Sequence, residues 1–140
     1  YEFTTLDPSL GILENEHKKI SIADLPGIIE GASDGLGLGV KFLKHAFRTK
    51  LLLHLVDSSH GLESAQRSYS IIENELKKFH LDFSNQSRWL VVSKIDLVKD
   101  EDLSVILNFF QKKYPGMPIF PISSKTKIGF DALSEKLLKI

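Results

Sequence analysis

The stretch ISIADLPGIIEGASDGLGLG, residues 20–39, decides how the rest of the chain is interpreted. It opens with apolar residues that suit a buried strand, and it breaks directly after Asp24, on Pro26 and Gly27. A carboxylate at the end of a strand, followed by a glycine whose backbone can approach a ligand closely, meets the needs of a Mg²⁺–phosphate site. The loop that follows is rich in further glycines, which predicts a segment that changes shape.

Composition bounds the class of protein. The 140 residues, 42% of them hydrophobic, suffice for one globular domain with a core. The 18 basic and 18 acidic residues balance, so charge does not favour direct DNA binding or an anionic membrane as the main partner. There is no cysteine, which excludes disulfides and thiolate metal sites and permits a cytoplasmic location. No apolar run approaches the ~20 residues of a membrane span.

Hydrophobic patterning predicts strands and helices that alternate after an opening hairpin. The run LLLHLV before Asp57 is continuous, which is typical of a strand covered on both faces. We therefore expect an α/β fold with a mostly parallel sheet, an antiparallel N-terminal hairpin and helices on both faces. The predicted strands are 9–13, 18–23, 51–56, 89–92 and 119–122; the predicted helices are 40–47, 62–79, one from residue 100 through 110, and 130–138; loops are predicted at 80–88 and 123–127.

Polar residues follow several of these predicted strands, and ligands in such sheets bind beyond the carboxyl ends of the strands. The loops after Ala23, Val92 and Ile122 are expected to converge on one site. Lys94 and Asp96 suit a guanine base, because a carboxylate can accept hydrogen bonds from N1–H and the exocyclic amine while a lysine stem packs on the ring. Adenine presents no matching pair of donors, and the turn Ser123-Ser124-Lys125 could offer a backbone N–H to the base carbonyl.

Three segments together resemble the G domain of P-loop GTPases, and most closely the bacterial Obg family. They are FTTLDPSLG at 3–11, DLPGIIEGASDGLGLGVKFLKH at 24–45 and LLLHLVD at 51–57. The resemblance implies a P-loop NTPase-like (Ras-like) fold, with residues 1–140 forming a partial OBG-type G domain from switch I to the last helix. It also implies GTP and GDP binding, GTP hydrolysis with Mg²⁺, and a role with the large ribosomal subunit and its assembly.

The resemblance assigns roles position by position. Thr5 in switch I and Asp24 would hold Mg²⁺, and the N–H of Gly27 would meet the γ-phosphate. Lys94 and Asp96 fall on the guanine-recognition motif. The residues implied to bind GTP are Phe3, Thr4, Thr5, Asp24, Leu25, Pro26, Gly27, Ser93, Lys94, Ile95, Asp96, Ser123 and Ser124.

The chain also departs from the family pattern. The phosphate-binding motif GxxxxGKS or GxxxxGKT is absent from the 140 residues, so we expect a fragment that lacks the first strand, the P-loop and the first helix and binds GTP weakly alone. The sheet should then show either a gap or a rearranged pairing between the strands 18–23 and 51–56. Ser93 stands where the family has asparagine, and Glu2 where it usually has proline.

No catalytic residue can be assigned from the sequence. The position after the DxxG glycine, where many GTPases carry a water-orienting glutamine, is Ile28. An isoleucine cannot hydrogen-bond water, so we expect slow hydrolysis that depends on a partner or a monovalent cation.

Simpler interpretations stay open beside these. Asp24 and Gly27 could form an ordinary strand-end turn, an S-K-x-D sequence arises by chance, and Asp57 could only cap the loop after it. The two histidines His45 and His54 are better explained as structural residues than as ligands. Two function classes therefore remain: part of an Obg-like GTPase, or a nucleotide-free interaction module that keeps the fold without catalysis.

Overall fold

The computed structural model describes residues 10–24, 49–78 and 87–140. The predictions for Phe3, Thr4, Thr5, His45 and the segment 25–48, which includes Leu25, Pro26, Gly27, Ile28 and the predicted helix 40–47, lie outside these residues. The chain divides into two compact units, each described by itself. One unit comprises residues 1–50, 71–86 and 134–140, and the other comprises 51–70 and 87–133.

The described elements follow the predicted order. The strands are β1 (Leu10–Glu14), β2 (Lys19–Ala23), β3 (Leu51–Asp57), β4 (Ser87–Ser93) and β5 (Ile119–Pro121); the helices are α1 (Leu62–Lys78), α2 (Asp100–Lys113) and α3 (Phe130–Leu137), with a 3₁₀ turn at Ile95–Leu97. The predicted loop through Arg88 is wrong at its end. β4 begins earlier, at Ser87, because the ladder with β3 continues down to the pair Leu51–Ser87.

The strands β1 and β2 form the predicted antiparallel hairpin, in a register that pairs Leu10 with Ala23 and Glu14 with Lys19. The turn between them is closed by Asn15. Its side-chain oxygen accepts hydrogen bonds from the backbone N–H groups of His17 at 2.9 Å and Lys18 at 2.7 Å. An asparagine that bonds to its own turn in this way favours a tight connection over continued strand.

The strands β3, β4 and β5 form a parallel sheet in that order. The register pairs Asp57 with Ser93 and Val92 with Pro121, so the strands end close to one another. Within the described ranges, no strand pairs with the outer edge of β3, and the hairpin forms a separate ladder. Of the two expected arrangements, the rearranged pairing between β2 and β3 is not present in the described ladders.

The core of this parallel unit lies against β4, where Trp89, Leu90, Val91 and Val92 are all buried. Because side chains alternate along a strand, burial of all of them means that both faces of β4 are covered. One face carries the main hydrophobic cluster, which joins sheet residues to α1 and α2. Its buried members are Val56, Ala65, Tyr69, Leu90, Val92, Ile106 and Phe110.

The expectation that β3 is covered on both faces is wrong. Val56 is buried, but the side chain of Leu55, on the opposite face, is 57% exposed. Leu51 and Leu53, on the same face as Leu55, are partly buried, so this face of the edge strand β3 is covered only in part. His54 is buried on the covered face and stacks on Tyr69 with ring centroids 4.3 Å apart, which fits its predicted structural role.

Two residues shape the far side of the sheet. Pro121 ends β5, and the neighbouring contacts to β4 run from Leu90 N to Pro118 O and from Ile122 N to Val92 O. By alternation, the proline nitrogen faces away from β4, where no ladder bond is lost. Gly129 has φ +86°, and a Cβ atom there would overlap the carbonyl oxygen of Pro121.

None of the helices in the described ranges is long and apolar enough to cross a membrane.

Candidate functional site

The candidate site lies at the carboxyl ends of β3, β4 and β5, all in the parallel unit. Parallel strands end at the same edge of a sheet, so the residues that follow them are brought together. The structure confirms that the loops after Val92 and Ile122 meet there, since Ile95 N donates a 3.2 Å hydrogen bond to Ile122 O. Asp24 directly follows β2, belongs to the other unit and is exposed.

Lys94 joins β4 to the 3₁₀ turn in a left-handed conformation, with φ 61° and ψ 35°. Such backbone geometry costs a non-glycine residue about 1–2 kcal/mol. The carbonyl of Lys94 accepts a 3.0 Å hydrogen bond from Leu97 N, which closes the turn around Asp96. The strained lysine therefore sets where the aspartate lies relative to the strand end.

The carboxylate of Asp96 is fixed by a hydrogen bond from Ser123. The hydroxyl of this fully buried serine donates a 2.8 Å hydrogen bond to Oδ1 of Asp96 and accepts one of 3.1 Å from Thr126 N. The next residue, Ser124, is exposed. The structure thus brings Asp96 and Ser123 together, and the serine side chain acts on the carboxylate, a contact that the sequence did not predict.

Asp57 links its own loop to Lys94. Its Oδ1 accepts hydrogen bonds from the N–H of Ser59 at 2.8 Å and from the Ser59 hydroxyl at 2.6 Å, which confirms that it caps this loop. Its Oδ2 lies 3.0 Å from Nζ of Lys94. Partial burial raises the pKa of Asp57, but the hydrogen bonds from Ser59 and the Lys94 ammonium outweigh that effect and lower it to about 2.

Ser93 and Ser58 bond across the ends of β3 and β4. The carbonyl of Ser93 accepts hydrogen bonds from the N–H of Ser58 at 3.1 Å and from its hydroxyl at 2.6 Å. In return, the hydroxyl of Ser93 donates to Val56 O at 3.2 Å. The short serine side chain therefore bonds to the backbone of β3. Sequence analysis missed Ser58, although its place directly after a strand that ends in aspartate was the available signal.

The family model described as "50S ribosome-binding GTPase" matches residues 1–94, which carry the hairpin, the glycine-rich stretch and the strands β3 and β4. The chain belongs to this GTPase family. Among curated relatives, the GTPase Obg of Syntrophobacter fumaroxidans is 41% identical over 143 residues, covering 100% of this chain and 40% of the relative. The GTPase Obg of Buchnera aphidicola subsp. Schizaphis graminum is 44% identical over 140 residues, covering 95% and 40%.

These relatives confirm the resemblance to Obg GTPases. The chain spans about two fifths of their length, at 40% of each. The described unit that holds β3, β4 and β5 therefore corresponds to part of a larger protein in those relatives.

Solved structures confirm the P-loop GTPase fold. Era in complex with MgGDPNP and nucleotides 1506–1542 of 16S ribosomal RNA is 26% identical with a TM-score of 0.74, over 97% of this chain and 45% of that chain. The elongation factor SelB of Methanococcus maripaludis, with the GTP analogue GPPNHP, shares the fold at 21% identity and a TM-score of 0.67, over 96% of this chain and 28% of that chain.

Proposed function

We propose that this chain is part of a G domain that binds GTP and GDP and hydrolyses GTP, in a protein of the Obg type. The observation that carries the proposal is the pair of Asp96 and buried Ser123 beside Lys94, at the carboxyl edge of the sheet. A carboxylate fixed by a hydrogen bond from a buried hydroxyl is ready to receive a ligand with donors of its own.

Guanine is the base that matches this arrangement. Asp96 would accept hydrogen bonds from N1–H and the 2-amino group, and the stem of Lys94 would pack on the ring. Adenine would offer the carboxylate no matching pair of donors, and such a mismatch discriminates between ligands. Ser93, Ile95 and Ser124 complete the loops around the base in this proposal.

Other residues are proposed to bind the phosphates and Mg²⁺. Asp24 and Thr5 would hold Mg²⁺, with Gly27 meeting the γ-phosphate; the adjoining residues in this proposal are Phe3, Thr4, Leu25 and Pro26. Asp24 fits a hard cation, because it is an exposed carboxylate directly after a strand. In the described residues, no group of three His, Cys, Asp or Glu side chains could hold a metal alone. A single protein carboxylate suits a Mg²⁺ ion that is bound largely through phosphate oxygens. When bound, Mg²⁺ would neutralise the negative charge that develops on the phosphate.

A phosphate-binding loop from outside these 140 residues would complete the site. The motif is absent from the sequence, the outer edge of β3 pairs with no described strand, and Leu55 is exposed beside that edge. Hydrolysis would be slow without a partner or a monovalent cation, because Ile28 cannot orient water. By the family's description, we further propose action on the large ribosomal subunit during its assembly, in the cytoplasm.

Calorimetry tests this function. GDP, GTP and ADP are titrated with Mg²⁺ into the 140-residue chain and into a version extended upstream through any P-loop, each as wild type and as Asp96→Ala, with the exposed Asp131→Ala as the matched control. Tight binding of GDP but not ADP by the longer wild type and the control, with loss of about 100-fold or more in Asp96→Ala, supports the proposal. If neither length binds guanine nucleotides, the nucleotide-free interaction module is the better interpretation.

A further inference from the structure

The two carboxylate oxygens of Asp57 serve different neighbours. Oδ1 accepts both hydrogen bonds from Ser59 and so organises the loop between β3 and α1. Oδ2 contacts the ammonium of Lys94 at 3.0 Å. The side chain of Lys94 is 57% exposed and that of Asp57 is 35% exposed, so the lysine is restrained without being buried. Loop capping requires only the first of these two contacts.

The backbone beneath this ion pair is also fixed. Ser58 donates two hydrogen bonds to the carbonyl of Ser93, and Ser93 donates back to Val56 O. Ser58 directly follows Asp57, and Ser93 directly precedes Lys94. Each of these two serines is therefore hydrogen-bonded to the neighbouring strand. The ends of β3 and β4, from which the two charged side chains extend, are therefore held together by the sheet.

A free lysine stem has many rotamers, and holding it on a ligand costs conformational entropy. We infer that Asp57 is a positioning residue for guanine-nucleotide binding, because it holds the Lys94 ammonium and so presents the lysine stem to the base in one orientation. This inference rests on the proposed function. It assigns Asp57 a role beyond the loop, since loss of the ion pair should weaken nucleotide binding even when the loop stays folded.

Asp57→Asn separates the two roles. The amide oxygen can still accept both bonds from Ser59, while the negative charge that faces Lys94 is removed. In a version extended upstream through any P-loop we expect GDP affinity to fall about two- to fivefold, the range that an exposed ion pair supports, and the urea midpoint to fall only slightly because the Ser59 bonds are kept. Ser59→Ala is the matched control, because it removes a loop hydrogen bond and leaves the ion pair; its GDP affinity should equal that of the wild type.

A double-mutant cycle with Lys94→Gln supplies a measurement that a purely structural role would not change. If Asp57 acts through the lysine, Asp57→Asn has no further effect on GDP affinity once Lys94 is replaced. High salt should also shrink the difference between wild type and Asp57→Asn, because it screens the ion pair.

The outcomes separate the two proposals. Unchanged GDP affinity in Asp57→Asn, or an equal loss with and without Lys94, overturns the positioning role and leaves the proposed function intact. If Lys94→Gln binds GDP too weakly to measure, the salt dependence decides. A difference in GDP affinity between wild type and Asp57→Asn that persists at high salt then overturns the positioning role. Failure of the wild-type protein to bind any guanine nucleotide overturns both.

Discussion

Ser123 and Asp96, on loops that follow different strands, are joined by a 2.8 Å hydrogen bond from the serine hydroxyl to Oδ1 of the aspartate. The serine is fully buried, so its hydroxyl has its partners fixed by the protein. Removing it would leave Thr126 N and the carboxylate with one bond fewer each.

Ser123→Ala should therefore weaken GDP binding by about 10-fold and lower the free energy of unfolding by about 1–2 kcal/mol. Ser104→Ala, at an exposed position of α2, is the control and should change neither quantity. Calorimetry and urea unfolding of the natural protein measure both effects. Equal affinities for the two variants would mean that Ser123 does not prepare Asp96 for the base.

Gly129 should tolerate alanine much less well than Gly116. Both have positive φ, +86° and +87°, but a Cβ atom meets nothing within 4 Å at Gly116 and overlaps the carbonyl oxygen of Pro121 at Gly129. We expect Gly116→Ala to cost about 1 kcal/mol of unfolding free energy from the backbone alone, and Gly129→Ala about 3 kcal/mol or more. Urea denaturation compares them directly, and similar costs would contradict the overlap.

His54 should make the protein less stable in acid. Burial, with a smaller contribution from the positive charge of Arg88, lowers the pKa of His54 from 6.5 to about 4. Between pH 6.5 and 4 the unfolded chain therefore binds a proton at His54 that the folded chain does not bind. The contribution of His54 to the free energy of unfolding is complete above the unfolded pKa and is lost as pH drops from 6.5 towards 4. This linkage predicts a loss of about 2 kcal/mol between about pH 7.5 and about pH 5.

The matched variant for this prediction is His54→Phe, which keeps an aromatic ring against Tyr69 and cannot titrate. Urea unfolding at both pH values should show a flatter pH dependence for the phenylalanine variant. An identical slope in the two proteins would assign the acid sensitivity to other groups.

Leu55 tests whether residues outside this chain cover β3. Because its side chain is 57% exposed, Leu55→Ser should change the unfolding free energy of the 140-residue chain by less than about 0.5 kcal/mol. In a version extended upstream through any P-loop we expect a cost of about 1–3 kcal/mol, the range for a buried leucine that loses its apolar contacts. Val56→Ala, at a buried position of the same strand, should be costly in both. A small effect of Leu55→Ser in the longer protein would mean that this face stays uncovered.

The elements with strong hydrophobic periodicity were predictable from the sequence. The helix α1 begins at Leu62 as predicted, and the run 89–92 is buried throughout because β4 is the central strand of its ladder. The start of β4 was missed because Ser87 and Arg88 carry no strand pattern of their own. They are extended because β3 offers them ladder partners.

The candidate site was predictable by residue type but not by contact. A carboxylate and a lysine after a strand indicated a base-binding loop, and Asp96 and Lys94 do lie at the sheet edge. The Asp57–Lys94 pair depends instead on the register between β3 and β4, which places Asp57 beside Ser93. These two strands are distant in sequence. Periodicity within one segment contains no information about such a register.

Pro121 makes the two edges of the parallel sheet unequal for the addition of a further strand. Its nitrogen faces away from β4 and carries no hydrogen, so a further strand that approached β5 would find a missing donor there. The outer edge of β3 has no proline between Leu51 and Asp57. Of the two edges of this parallel sheet, strand addition is therefore disfavoured at β5, whereas no proline opposes it at β3.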